Sequence, residues 1–405
     1  MLPMGLLLAV DLLVALVVAW KVPFQAPNPS YLCDARQLMA THRIATVFLP
    51  VGYSGVLGVS GLLAGQAGIV ALSIALSLMV IAAAWVYLRT LGVSVRATLV
   101  LTGLLSVYPD LLLSYNKAQD TALTAVLLFL YVSLLLRAVK AQRFGVTDAS
   151  LGMLLGYAAM VRPNLVLLVP MVWFVFWKFR VPRAAARIVW QTLLVVSCYA
   201  IGTAAIHGRP FLPQNGPYNL YAGANEFTAA HIQNEEGSLI EAMASHGIRV
   251  MDPDVLCIQD SSDPHVADIH ERRLDPLYTK FALQFIWEHP VEMVKLAGLK
   301  FLALMSPDFM LHKPASLGGA VKILEATAFP LWLMAFLLWP HRSLWPARLI
   351  VALMVVCYVV PFLLTVSSSR FRVPLDFFLW MDLGATLVPK LKRRQSFASS
   401  AAPKQ

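Results

Sequence analysis

Apolar residues run along this chain in long blocks, not in the alternating or one-faced patterns of a soluble core. A helix needs about 20 mostly apolar residues to cross a bilayer. Ten blocks approach that: about 2–20, 67–88, 96–115, 121–139, 149–161, 163–178, 187–206, 319–339, 346–366 and 372–389. The fifth and sixth are short and are separated by Arg162-Pro163. Proline lacks a backbone donor and disfavours helix in the residue before it, so the dipeptide predicts two short spans with a tight outer turn. One kinked span over the same residues is the alternative, and it would invert everything downstream. The expected architecture is an all-α polytopic membrane protein of about ten transmembrane helices.

The charged positions arbitrate between these two topologies. With the N-terminus inside, the inner connections hold Arg89 and Arg96; Arg137, Lys140 and Arg143; Lys178, Arg180, Arg183 and Arg187; Arg342 and Arg348; and Lys390, Lys392, Arg393 and Arg394. Asp148 is the one acid among them. Such a Lys/Arg bias orients polytopic proteins, and the kinked-span alternative would put the last two clusters outside. The first block has no basic leader, and no small-residue cleavage site precedes Lys21, so it is expected to stay as a span and not to be removed as a signal peptide.

Composition agrees with the blocks. Hydrophobic residues make up 59% of the 405, charged residues 13%, and the mean hydropathy is +0.69. Soluble domains carry about 45–50% apolar and about 25% charged residues. These figures exclude a disordered chain, a soluble enzyme and a nucleic-acid-binding module. The formal net charge of +10 therefore belongs to the inner connections and not to a nucleic-acid footprint.

Residues 1–390 are expected to form a single domain, and 391–405 a disordered basic cytoplasmic tail. Two outer segments, about 21–66 and 207–318, are too long to be mere connectors, and loops of that length are usually functional. Fourteen of the 22 acidic residues fall between Glu226 and Asp308. Within the second segment an amphipathic stretch from Ala267 to Met305 is broken at His289-Pro290. Glu292, Lys295 and Lys300 interrupt its last apolar run, which predicts a helix lying in the outer interface and not a full crossing. Cys198 and Cys357 sit in apolar blocks and read as packing residues. Cys33 and Cys257 both fall in outer loops, where an oxidising compartment would allow them to pair.

Ionisable residues at membrane depth are functional suspects. They are Asp11, Asp34, Asp110, Lys117, Asp120, Arg162, Arg370, Arg372, Asp376 and Asp382. Most fall on the outer side of the expected topology. Cations there would hold a phosphate, Arg through forked contacts, and a carboxylate would take a proton from an incoming hydroxyl. The blander readings are ion pairs within the bundle (Asp11; Asp376 and Asp382 with Arg370 and Arg372), snorkelling cations (Lys117, Arg162) and a solvated loop acid (Asp34). His42, His231, His265, His270 and His289 show no metal-ligand spacing, and there is no phosphate-binding loop, nucleophile elbow or dinucleotide fingerprint. No cofactor is indicated.

Six segments, in order, resemble the GT-C class of integral membrane glycosyltransferases, nearest the protein mannosyltransferase and lipid A aminoarabinose transferase families. SYLCDARQLMATHRIATVFLPVGYSG is similar to the family's first acidic motif, with Asp34 as the acid and Pro50, Gly52 and Tyr53 in the turn that follows; Val51 and Ser54 stand where the family has prolines. YPDLLLSYNKAQDTALTAVLLF resembles its second acidic loop, with Asp120 as the acid. LGYAAMVRPNLVLLVP matches an Arg-Pro segment at Arg162 and Pro163. PYNLYAGANE resembles a stretch of bacterial members through Asn219, Leu220, Tyr221, Gly223 and Asn225. FIWEHPVEMVKLAGLKFLALMSP resembles the family's His-Pro, interfacial helix and Ser-Pro. SSRFRVPLDFFL resembles Arg-Tyr-Arg-x-Pro-x-Glu, with Phe371 replacing Tyr and Asp376 replacing Glu. No counterpart of the separate C-terminal domain or extra spans of larger family members is expected within these 405 residues.

The resemblance implies inverting transfer of a sugar from a polyprenyl monophosphate donor to a lipid, glycan or protein acceptor, at the outer face of a cell (inner) membrane. It implies Asp34 as the catalytic base and Asp120 as an orienting acid. Arg370, Arg162, Lys117 and Arg372 would be phosphate-binding cations. Tyr218, Tyr221, Asn225 and Tyr53 would be sugar or acceptor contacts. The rival readings are a flippase or transporter of a lipid-linked sugar, and an O-antigen-type polymerase or ligase.

Overall fold

A computed structural model of the chain describes residues 2–24, 31–32, 35–36, 39, 51–141, 146–178, 182–207, 215–232, 235–247, 264–305, 317–338, 345–365 and 369–388. Their regular structure is entirely helical. In chain order the elements are α1 (Leu2–Lys21), α2 (Val51–Leu91), α3 (Val95–Ser106), α4 (Pro109–Ser114), α5 (Thr121–Ala141), α6 (Val146–Val161), a 3-10 turn (Pro163–Leu167) and α7 (Leu168–Lys178). They continue with α8 (Pro182–His207), α9 (Asn215–Gly223), α10 (Glu235–Ser245), α11 (Pro264–Glu288), α12 (Pro290–Met305), α13 (Leu317–Leu338), α14 (Trp345–Leu364) and α15 (Ser369–Leu387).

Five helices are long and apolar enough to cross a membrane: Pro3–Lys21, Gly52–Leu91, Thr121–Val139, Arg183–Gly202 and Ala347–Leu364. Shorter apolar helices cover Val95–Ser106, Ser150–Val161, Pro163–Lys178 and Thr327–Leu338. The chain is an integral membrane protein whose described residues are helical. The expected block 96–115 is not one helix: α3 ends at Ser106 and α4 starts at Pro109, because proline disfavours helix in the residue before it. The expected start of a span at 67 coincides with a sharp kink in α2. Ala64 and Gly65 leave helical geometry there, and Gly65 has φ +59°, a left-handed value that glycine adopts without strain.

The main core lies where α2, α5, α6, α14 and α15 meet. Tyr87, Phe129 and Phe378 form an aromatic cluster at its centre, with ring centroids 4.8–5.7 Å apart. Helix α5 runs the length of this core. Asp120 precedes its first turn. At its far end Arg137 Nε donates to Thr90 Oγ1 at 3.2 Å, near the end of α2. A 21-residue helix is about 30 Å long, so the Arg89/Arg137 end and the Asp120 end are opposite ends of the bundle.

Helices α9 to α12 build a second, smaller core around Tyr218, Tyr221, Leu239, Met243, Tyr278 and Leu296. The break expected at His289-Pro290 is present, with α11 ending at Glu288 and α12 starting at Pro290. The three charges of α12 separate by face. Glu292 and Lys295 form an exposed ion pair at 2.7 Å, while Lys300 is fully buried. Its Nζ donates to Gly223 O at 2.6 Å and Thr365 O at 2.5 Å, which ties the C-terminus of α9 to that of α14. Val291, Val294, Leu299 and Leu302 are exposed on α12's other side, beside exposed Trp287.

Of the two cysteines in apolar blocks, Cys357 is partly buried and Cys198 is exposed on the surface of α8, so only Cys357 packs inside. Cys33, Cys257 and the 391–405 tail lie outside the described residues.

Candidate active site

Pro163 interrupts the chain between α6 and α7. Arg162 takes extended geometry (φ −140°, ψ 108°) as the residue before the 3-10 turn, so its side chain leaves the helix stack sideways. Its guanidinium meets Asp120 in a forked pair, Nε to Oδ2 at 2.6 Å and Nη2 to Oδ1 at 3.1 Å, with both side chains buried. Nη1 donates to Tyr358 Oη at 2.8 Å, and Tyr358 Oη donates to the carbonyl of Phe371 at 2.7 Å. The Phe371 ring lies 5.4 Å from the guanidinium carbon. Burial works against the charge of Arg162, and Asp120 with Tyr358 more than offsets it, so the guanidinium holds its proton more tightly than usual. These contacts engage three of its five N–H groups.

The pair opens on a cleft of about 290 Å³. One wall is the segment Val161–Asn164 with Leu167; another is Gly216 and Asn219 of α9; a third is Pro361, Phe362 and Thr365 at the end of α14, with Phe371 of α15 and Tyr31 completing it. The cleft sits at the end of the bundle opposite Arg89 and Arg137. Its polar side chains are the Arg162–Asp120 ion pair, the amides of Asn164 and Asn219 and the hydroxyl-bearing Tyr31 and Thr365, and the rest is apolar.

The expected site residues divide by position. Asp120 and Arg162 line the cleft together. Lys117 is half-buried in the turn just before Asp120, and neighbouring Asn116 donates from Nδ2 to the carbonyl of Val22, which docks that turn on the end of α1. Asp34 lies outside the described residues, as does the side chain of Arg370; Tyr31, which precedes Asp34 by three positions, forms part of the cleft wall.

The remaining expected residues are not among those that line the cleft. Arg372, expected at the donor phosphate, is 1% exposed inside the bundle. Its Nε donates to Asp376 Oδ2 at 2.8 Å, one helical turn on, and Nη1 to Leu304 O at 3.0 Å. Asp382, expected to pair with an arginine of the same helix, accepts from Tyr87 Oη and Trp332 Nε1 instead. Gly52 and Tyr53, expected in a turn, are in the first turn of α2. A side chain at Gly52 would meet the backbone of Met160 and Val161 at 2.7 Å, so the glycine serves close helix approach. Tyr53 is buried edge-to-face on Tyr31 at 5.1 Å.

Tyr218, Tyr221 and Asn225, expected at the sugar, belong to the second core. Tyr218 and Tyr221 pack on Tyr278. Asn225 Nδ2 donates to Tyr221 O and Ser238 Oγ, each at 2.7 Å, and its Oδ1 accepts from the Phe227 amide at 2.9 Å. An amide so fully engaged is a structural pin. Sequence reasoning missed Tyr358, Asn164 and Lys300. Tyr358 was hidden inside an apolar block, and Asn164 next to Arg-Pro was the one available signal. Among the described residues no group of three His, Cys, Asp or Glu side chains could hold a metal ion.

The kinked apolar bundle, with its lobe of short helices and its cleft, shares an overall fold with solved oligosaccharyltransferase structures. Among solved structures the chain is similar to the archaeal oligosaccharyltransferase AglB from Archaeoglobus fulgidus in complex with an inhibitory peptide and a dolichol-phosphate. The TM-score is 0.54 at 12% identity, over 95% of this chain and 50% of that one. It is also similar to the Archaeoglobus fulgidus oligosaccharyltransferase with Zn and sulfate (TM-score 0.53, 12% identity, 93% and 48% covered) and in the apo form (0.52, 12%, 95% and 50%). The chain spans about half the length of these structures. No family model and no curated protein sequence matches it.

Proposed function

We propose that this protein is a membrane glycosyltransferase that moves a sugar from a polyprenyl monophosphate to a lipid, glycan or protein acceptor at the outer face of the cell membrane. About ten spans with both ends inside put the cleft on that face, and the basic inner connections support this orientation. One observation carries the reading: a buried, neutralised Arg162–Asp120 fork faces a small cleft at the end of the bundle away from Arg89 and Arg137. A dolichol-phosphate bound to the archaeal structure of the same fold supports a polyprenyl-phosphate ligand.

In this reading the lipid phosphate enters between helices beside Phe362 and Phe371. The two remaining N–H groups of Arg162, with Arg370 and Lys117, neutralise the charge that grows on the phosphate as its bond to C1 breaks. Asp120 orients Arg162. Asp34 takes the proton of the acceptor hydroxyl as that oxygen bonds to C1 from the face opposite the phosphate, which inverts C1. Arg372 acts at a distance, by bracing α15 on α12. Exposed Trp287, Val291 and Val294 would seat the lobe against the membrane surface.

Radiolabelled polyprenyl-phosphate sugars supplied to membranes containing the protein test this. Release of the sugar with transfer to an acceptor is expected. Movement of intact donor across the membrane without cleavage would make the protein a flippase, and cleavage only of a diphosphate-linked donor would make it a polymerase or ligase.

A further inference from the structure

We infer that Tyr358 is a positioning residue for the lipid phosphate: its hydroxyl holds Arg162 in register with the first turn of α15, so that the two cationic sides of the phosphate site keep a fixed separation. The inference rests on the glycosyltransferase reading above. Tyr358 is buried on α14 and is not itself among the residues that line the cleft. The direction of its two hydrogen bonds is set by chemistry, since a guanidinium only donates and a carbonyl only accepts. Arg162 Nη1 therefore donates to Tyr358 Oη at 2.8 Å, and Tyr358 gives its one proton to the carbonyl of Phe371 at 2.7 Å. A buried tyrosine hydroxyl is satisfied by one partner. This one has two, 196 positions before it and 13 after it, and both belong to residues of the cleft wall.

The backbone of α15 explains why the tether matters. Pro374 sits inside that helix and has no N–H, so the carbonyl of Arg370, four residues earlier, receives no helical bond from it. The Tyr358 hydroxyl binds the very next carbonyl, that of Phe371. The Asp120 fork ties Arg162 to the start of α5, and Tyr358 ties the same guanidinium to α14 and α15. Around the hydroxyl the rings form a closed circuit. Tyr358 packs on Phe362 at 5.5 Å, Phe362 stacks on Phe371 at 5.0 Å and 14°, and the Phe371 ring lies 5.4 Å from the guanidinium carbon. Removing the hydroxyl alone leaves these ring contacts in place and cuts the polar link.

The test measures binding of purified full-length protein in detergent to polyprenyl phosphate and to the matching polyprenol, which has the same chain and no phosphate. Wild type is expected to favour the phosphate. Tyr358→Phe is expected to lose about tenfold in affinity for the phosphate, the worth of one good hydrogen bond, and to bind polyprenol as wild type does. Both ligands are titrated on one preparation, so a smaller folded fraction lowers the capacity for both and leaves their affinity ratio unchanged. An unchanged ratio in Tyr358→Phe overturns the proposal. Equal loss of affinity for the two ligands, or failure of the variant to fold, also overturns it, since either gives the hydroxyl a part in the fold alone. Failure of wild type to favour the phosphate is a different result, which removes the donor class and this inference with it.

Discussion

The ammonium of Lys300 lies 2.6 Å from the carbonyl oxygen of Gly223, a residue 77 positions earlier in the chain. The same ammonium bonds Thr365 O, so the last turns of α9 and α14 converge on one buried cation. Carbonyls at helix C-termini lack intrahelical donors and carry partial negative charge, which is what makes a lysine acceptable there. Gly216, Asn219, Pro361 and Thr365 of those two helices line the cleft, so the contact holds two of its walls together.

Lys300→Met keeps the apolar stem and removes the donor, which leaves two carbonyls unpaired. A destabilisation of about 1–3 kcal/mol is expected, read as a lower melting temperature in detergent and as earlier proteolysis within residues 215–305. An unchanged melting curve and digestion pattern would show that the contact does not hold the lobe.

The Arg162–Asp120 fork makes a coupled prediction. Asp120→Asn leaves a buried guanidinium without its counter-charge, and Arg162→Leu leaves a buried carboxylate without its own. Breaking a buried pair from one side costs about 3–5 kcal/mol, so each single variant should melt well below wild type and transfer little sugar. The double variant Asp120→Asn/Arg162→Leu should be more stable than the two single losses added together. Strict additivity in thermal unfolding would mean that the two side chains do not act as a unit.

Asp34 is the sole acid of the first outer segment, so no neighbour there can replace it. General-base catalysis is worth about 10²–10⁴ in rate. Asp34→Asn is expected to lower turnover by at least about 100-fold, with normal expression and unchanged donor binding, and Asp34→Glu to recover part of it at best. Full activity of the Asn variant in a membrane transfer assay would take the base role away from Asp34.

Arg370 opens α15 immediately before Phe371, which lines the cleft. Arg370→Ala should weaken donor binding and turnover together, and Arg370→Lys should restore only part, since an ammonium lacks the fork. Donor titrations on the three proteins decide this; equal affinities would remove Arg370 from the phosphate site.

Topology is tested by single cysteines at Ser261 and Ser343 in a background without the native four. The first should react with an impermeant thiol reagent from outside and the second only after the membrane is opened. Reaction of both from one side would overturn the arrangement with both ends inside.

The spans, their breaks and the two-sided charge were legible along the chain because each follows from local chemistry. In lipid every backbone group must be satisfied within its own helix, so long apolar runs become helices. Proline ends or bends them where it stands, at Pro109, Pro163 and Pro290. What each polar side chain does inside the bundle was decided only by tertiary structure. Glu292, Lys295 and Lys300 look alike as interruptions of one apolar run, yet two pair on an exposed face and the third reaches carbonyls 77 and 65 positions away. Asp376 and Asp382 share a helix, but one is held by Arg372 and the other by Tyr87 and Trp332 from two other helices. Asn225 and Arg372 fit family motifs and hydrogen-bond within the fold, while Asn164 and Tyr358 meet the cleft or its arginine without such a signal. A hydrogen bond depends on ångström-scale distance and direction, and for residues dozens of positions apart the packing of whole helices sets both.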